Sequence, residues 1–125
     1  MNEKIYTAKA PKPVGPYSQA IRANGFVFAS GQIPINPQTG EILRGSIEEQ
    51  THQVLENLRE VLEAAGSSLA KVVRATVYLS DLRNFEAMNA TYATYFGDTR
   101  PARSTIQAAE LPKGVDVEID AIAVE

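Results

Sequence analysis

The chain has 125 residues, 44% of them hydrophobic and 22% charged, a composition far from a disordered one and a length that builds one cored domain over 1–125 and is too short for two. Fifteen acidic residues against twelve Lys and Arg give a net charge of -3, and the scattered bases exclude the electrostatic footprint of a nucleic-acid binder. With no Cys, disulfides, thiolate catalysis and cysteine metal sites drop out, and no stretch approaches the roughly 18 apolar residues of a membrane span.

The amino terminus, Met1 to Tyr6, carries no apolar signal region and no Arg-rich character, so the expected location is the cytoplasm. Pro11, Pro13 and Pro16 preclude regular helix or central strand, which makes this stretch an extended, partly preset loop. Asn24-Gly25 then separates Gln19–Ala23 from Phe26–Ser30 and predicts a hairpin. Asn36 to Gly40 separates Gln32–Ile35 from Glu41–Leu43 and predicts a second short hairpin or a looser excursion.

Ser46 and Glu49 form a capping box ahead of a helix. Val54, Leu55, Leu58, Val61, Leu62 and Ala65 give that helix one apolar stripe, and Gly66 is placed to end it in a left-handed conformation. Val72 to Leu79 reads as a β-branched strand with Val73, Val77 and Leu79 on one face. A second helix is expected from about Asn84 to Phe96, with Phe85, Met88, Tyr92 and Phe96 inward and Gly97 as its stop. Strands at Arg103–Ala108 and Val115–Val124 follow, joined by a turn at Leu111 to Gly114 and read as a closing hairpin.

The result is an α+β mixed sheet with two helices packed on one face. Val117, Ile119, Ala121 and Ala123 lie on one side of the last strand, and Ile122 and Val124 on the other. Two helices cannot cover both faces, so another subunit is the expected cover.

Chemistry has few candidates. His52, the single histidine, lies beside the apolar stripe of the first helix and reads as a solvated side chain. A mononuclear zinc site needs more His or Cys ligands than exist here. Neither a phosphate-binding glycine loop nor a Gly-x-Ser-x-Gly elbow occurs. Arg and carboxylate chemistry remains. Alternation places Arg103, Thr105 and Gln107 on one strand face, and Glu118 and Asp120 with Ile122 on another. If the last two strands pair antiparallel, Arg103 and Glu118 can share a side, as a surface ion pair or as the floor of a cleft at the sheet's end.

Pro13-Val14-Gly15-Pro16-Tyr17-Ser18-Gln19-Ala20, Ala29-Ser30-Gly31-Gln32-Ile33-Pro34, Arg100-Pro101-Ala102-Arg103-Ser104-Thr105 and Val117 to Val124 together resemble the Rid (YjgF-like) family over essentially the whole chain. The resemblance implies a chorismate-mutase-like α+β fold and a homotrimer with sites between subunits. It also implies cofactor-free hydrolysis of 2-iminopropanoate, 2-iminobutanoate and their enamine tautomers to keto acids and ammonia. By position, Arg103 matches the family's carboxylate-binding arginine, Glu118 its water-activating glutamate, and Tyr17 the tyrosine that closes the site. Ser30, Gly31 and Asn89 match pocket-lining positions. Thr105 stands in the substrate pocket where many relatives have Cys, so no thiol enters this chain's chemistry. No metal, nucleic-acid or membrane partner is implied. The competing readings are a non-catalytic keto or amino acid sensor and a ribonuclease or translation inhibitor.

Overall fold

The computed structural model describes residues 2–125. Six strands form one mixed sheet: β1 (Glu3–Ile5), β2 (Ala20–Ala23), β3 (Phe26–Gln32), β4 (Val72–Leu79), β5 (Ala102–Gln107) and β6 (Val117–Val124), in the spatial order β1-β2-β3-β6-β4-β5. Two helices, α1 (Ile47–Ala64) and α2 (Phe85–Phe96), pack on one face and on each other. No helix among the described residues is long and apolar enough to cross a membrane.

Local signals position most of these elements. Asn24 and Gly25 both take positive φ, 52° and 82°, the pair of left-handed residues that a two-residue hairpin turn demands. Ser46 Oγ accepts from the Glu49 backbone N–H, and the Glu49 carboxylate accepts from the Ser46 N–H. Gly66 follows α1 at φ 82°. The stripe of α1 is fully buried against Val27, Ala75, Val77, Leu79 and the inward face of β6.

Two expectations need correction, and one open alternative is decided. Of the two alternatives around Asn36 to Gly40 the looser excursion forms, with one bridge between Ile35 and Ile42, because the loop spends its hydrogen bonds on its own turn. Val73 does not join Val77 and Leu79. A register shift between Val72 and Arg74 turns Val72 inward and leaves Val73 exposed, the consequence of one bulged residue. Gly97 does cap α2 directly after Phe96, with a helical φ of -60°, and the left-handed residue beyond it is Arg100, at φ 48°. Finally, β5 and β6 form no hairpin. β5 runs parallel to β4 at the sheet edge, and β6 lies between β3 and β4, antiparallel to both. The connection through α2 allows this, because a parallel pair needs a crossover element of that length.

The opposite face of the sheet carries no helix. Phe26, Phe28, Val73 and Ile106 are 40%, 44%, 44% and 47% exposed there, beside the half-buried Ile122 and Val124.

Candidate active site

The strand registers decide where the two charged groups go. Residues paired across neighbouring strands share a face, and successive residues alternate. Arg103 pairs with Ala75 and Thr105 with Val77, so both project to the helix-covered side. Glu118 pairs with Tyr78 and projects to the open side. Within one chain Arg103 and Glu118 therefore lie on opposite faces, separated by β4. The cross-strand neighbourhood expected from an antiparallel β5–β6 pair does not exist.

Arg103 lies on an aromatic bed. Its guanidinium carbon is 4.7 Å from the centroid of Tyr92 and 5.6 Å from that of Phe85, both from the first two-thirds of α2. Two rings within cation–π reach hold the guanidinium in place, and a guanidinium can fork onto a carboxylate. A cleft of about 490 Å³ opens beside it, lined by Asn89, Tyr92, Phe96, Arg100 and Arg103. Burial pushes the Tyr92 hydroxyl up, against the pull of the Arg103 charge. On the same strand face, Thr105 Oγ1 is buried without a hydrogen-bond partner among the described residues.

The second cleft, about 470 Å³, lies between the proline-rich loop and β3 and includes Tyr17, Ser30, Gly31, Lys113 and Glu118. The loop is fastened by Gln19, which is 1% exposed. Its side-chain carbonyl accepts from the Thr7 N–H at 2.7 Å, and its amide donates to the carbonyls of Thr7, Ala10 and Pro11 at 3.1, 3.4 and 2.9 Å. Ser30 Oγ donates to the Ser18 carbonyl at 2.6 Å, which joins the loop to β3 and sets Tyr17 at the cleft. Tyr17 itself is half exposed, at 51%.

Glu118 is laid across Gly31, where a Cβ would stand 2.1 Å from its Oε2. Burial first, and the charge of Asp120 second, push its carboxyl above the usual carboxylate range. Half-buried, it holds its proton more readily than an exposed carboxylate does.

Sequence reasoning gave Tyr17, Ser30, Gly31, Asn89, Arg103, Thr105 and Glu118 to one site, whereas the structure puts Tyr17, Ser30, Gly31 and Glu118 on one cleft and Asn89 and Arg103 on another, with Thr105 on the Arg103 face of β5. It missed the roles of Tyr92 and Phe85, which read only as an inward stripe although Phe85 is exposed at 37%. It also missed Gln19, whose clamp has no local signature. His52 lies in neither cleft. It is exposed, as expected, and its Nδ1 lies 2.6 Å from the Tyr95 hydroxyl.

The profile of the family described as Endoribonuclease L-PSP matches residues 7–125. A RutC family protein of Pyrococcus horikoshii is 57% identical over 98% of both chains. The chain belongs to the Rid family. An Arabidopsis thaliana relative named Reactive Intermediate Deaminase A, chloroplastic, is 48% identical over 97% of this chain and 65% of its own length. Among solved structures, Escherichia coli TdcF with bound serine superposes with a TM-score of 0.94 at 42% identity, covering 98% of each chain. The Rid fold assigned from four short motifs is thus the fold observed.

Proposed function

We propose that this Rid protein is a cofactor-independent deaminase that hydrolyses 2-iminopropanoate, 2-iminobutanoate and their enamine tautomers in sites formed between copies of the chain. The observation that carries the reading is the separation of the two charged groups. Arg103 is preorganised for a carboxylate on one face, Glu118 for proton transfer on the other, and only two different copies can bring them to one small substrate. The open face bearing Phe26, Phe28, Val73 and Ile106 is apolar surface for a second copy to cover. A homotrimer is the assembly implied by the resemblance.

In this site, Arg103 of one copy binds the substrate carboxylate through two parallel charge-assisted bonds, which orients the adjoining C=N carbon. An enamine substrate first takes a proton from solvent on carbon to give the iminium. Glu118 of the next copy accepts a proton as water adds to the iminium carbon, forming a tetrahedral carbinolamine. The same carboxyl returns that proton to nitrogen, and the C–N bond breaks as the carbinol hydroxyl passes its proton, through solvent, to the departing ammonia, leaving the keto acid. One water is consumed and one ammonium released per turnover. Tyr17 limits solvent at the mouth, while Ser30, Gly31, Asn89 and Thr105 shape the pocket. Every step is covered by proton transfer and positioning, with no call for a metal or a covalent nucleophile.

The serine bound in TdcF favours one other reading, a sensor that binds amino or keto acids without turnover. A raised carboxyl in the cleft argues for hydrolysis, because a sensor of carboxylates gains nothing from a second acid. The family description as an endoribonuclease is the third reading. The acidic balance and the position of His52 outside both clefts speak against it, and RNA binding that weakens steeply with salt would revive it.

The test is pyruvate release from freshly generated 2-aminoacrylate. Acceleration by the protein is expected, and none would leave the sensor. Mixing and reassembling inactive Arg103→Ala with inactive Glu118→Gln chains examines the shared site. Random exchange should restore about a quarter of wild-type activity, the chance that a neighbouring pair supplies one intact group each. No recovery in chains shown to exchange would defeat the intersubunit site.

A further inference from the structure

Resting on the reading of Glu118 as the proton-transfer group, we infer that Asp120 and Tyr78 form a charge-setting pair, in which Asp120 is a positioning residue that decides the pH at which Glu118 releases its proton. β6 presents Glu118 and Asp120 on the same face, two residues and about 7 Å apart along the strand. On β4, Tyr78 stands directly across from Glu118 and Thr76 across from Asp120. The Tyr78 hydroxyl does not bond its own cross-strand neighbour. It reaches diagonally and donates to Asp120 Oδ2 at 2.9 Å.

That diagonal bond treats the two carboxyls unequally. Asp120 receives a phenolic donor. Glu118 receives no hydrogen bond from the described residues and lies against the Gly31 backbone. Burial, and then the bond to Asp120, push the Tyr78 hydroxyl up, so it keeps its proton and remains a donor. The Asp120 charge on the same face opposes ionisation of Glu118 and, after burial, pushes its carboxyl up. One group that first takes a proton from water and then gives it to nitrogen works best when its affinity lies near the operating pH. Glu118 at its ordinary value, about 4.3, would hold almost no proton at neutrality.

Other charged and titratable groups face Glu118. Lys12, Lys113 and Tyr17 line its cleft. Arg74 lies on the same face of β4, with its guanidinium donating to Ser104 Oγ at 2.8 Å. Arg103 of a second copy joins them in the proposed site. All are unchanged when Asp120 alone is neutralised, so the difference between two proteins isolates the Asp120 contribution.

The experiment is a carboxyl-carbon NMR titration of Glu118 in the assembled wild-type protein and in Asp120→Asn, paired with the pH dependence of kcat/KM for 2-aminoacrylate. The midpoint of Glu118 should fall by about one pH unit in Asp120→Asn, and the acid limb of kcat/KM should move down with it. Asp120→Glu, which keeps the charge, should return both toward wild type. Asp120→Thr, neutral and well suited to a strand, repeats the measurement should the Asn variant fold poorly. A Glu118 midpoint that stays in place in a folded, charge-neutralised variant overturns the inference. Because the titration needs no turnover, a protein without deaminase activity would sink the proposed reaction and still leave this question answered by the midpoint.

Discussion

Gly31 and Glu118 are in a contact that no larger residue allows: a Cβ at position 31 would stand 2.1 Å from Glu118 Oε2 and 3.0 Å from its carboxyl carbon. The backbone at Gly31 is not left-handed, so conformational freedom does not explain this glycine. The carboxylate does. Gly31→Ala should therefore fold with a melting temperature close to wild type while pushing Glu118 off its place. A displacement near 1 Å costs about 100-fold in turnover. A variant with normal kcat would mean that Glu118 does not react from this position.

Removing the guanidinium should cost far more than removing its bed. For Arg103→Ala we expect a loss of about 2–5 kcal/mol of transition-state binding, or 30- to several-thousand-fold in kcat/KM. Tyr92→Leu keeps the charge and loses its main ring contact, worth about 0.5–2 kcal/mol. Steady-state kinetics should put that smaller loss mainly in KM. Equal effects from the two variants would deny the guanidinium a direct part.

Glu118→Gln keeps the shape over Gly31 and removes the exchangeable proton. Turnover should collapse while a stable keto acid analogue still binds, a split that calorimetry with pyruvate can read beside the kinetics. Unchanged turnover excludes proton transfer by this residue.

Gln19→Ala reaches the site from a distance. It strips four hydrogen bonds from the proline-rich loop, leaves buried backbone groups unpaired and should cost about 3 kcal/mol. Limited proteolysis should open between residues 7 and 18, and kcat/KM should fall as Tyr17 loses its fixed place. An unchanged digestion pattern would show that the prolines alone hold the loop.

The capping box gives a pH signature in stability. Backbone and hydroxyl hydrogen bonds from Ser46 hold the Glu49 carboxyl below its usual range. A carboxyl with a depressed folded value contributes stability above its unfolded value, about 4.3, and loses it as pH falls through the folded one. The difference in melting temperature between wild type and Glu49→Gln should shrink on acidification from pH 6 to pH 3. A constant difference would place the effect elsewhere.

The sequence by itself determined whatever depends on neighbours a few residues apart. The turn at Asn24-Gly25, the Ser46 and Glu49 cap, the stripe of α1 and the alternation of β6 all follow from backbone sterics and the repeat of helix or strand. Four motifs carried the family for the same reason, since each is a local string. Only the tertiary structure decided which strand β5 joins. Pairing partners are set by burial summed over the whole sheet, and the α2 crossover lets β5 lie parallel to β4 instead of folding back on β6. That choice puts Arg103 and Glu118 on opposite faces and turns one expected cleft into two halves. The bulge near Val73 and the clamp of Gln19 on Thr7, Ala10 and Pro11 belong to the same class, because each satisfies hydrogen bonds between segments whose meeting no local pattern encodes.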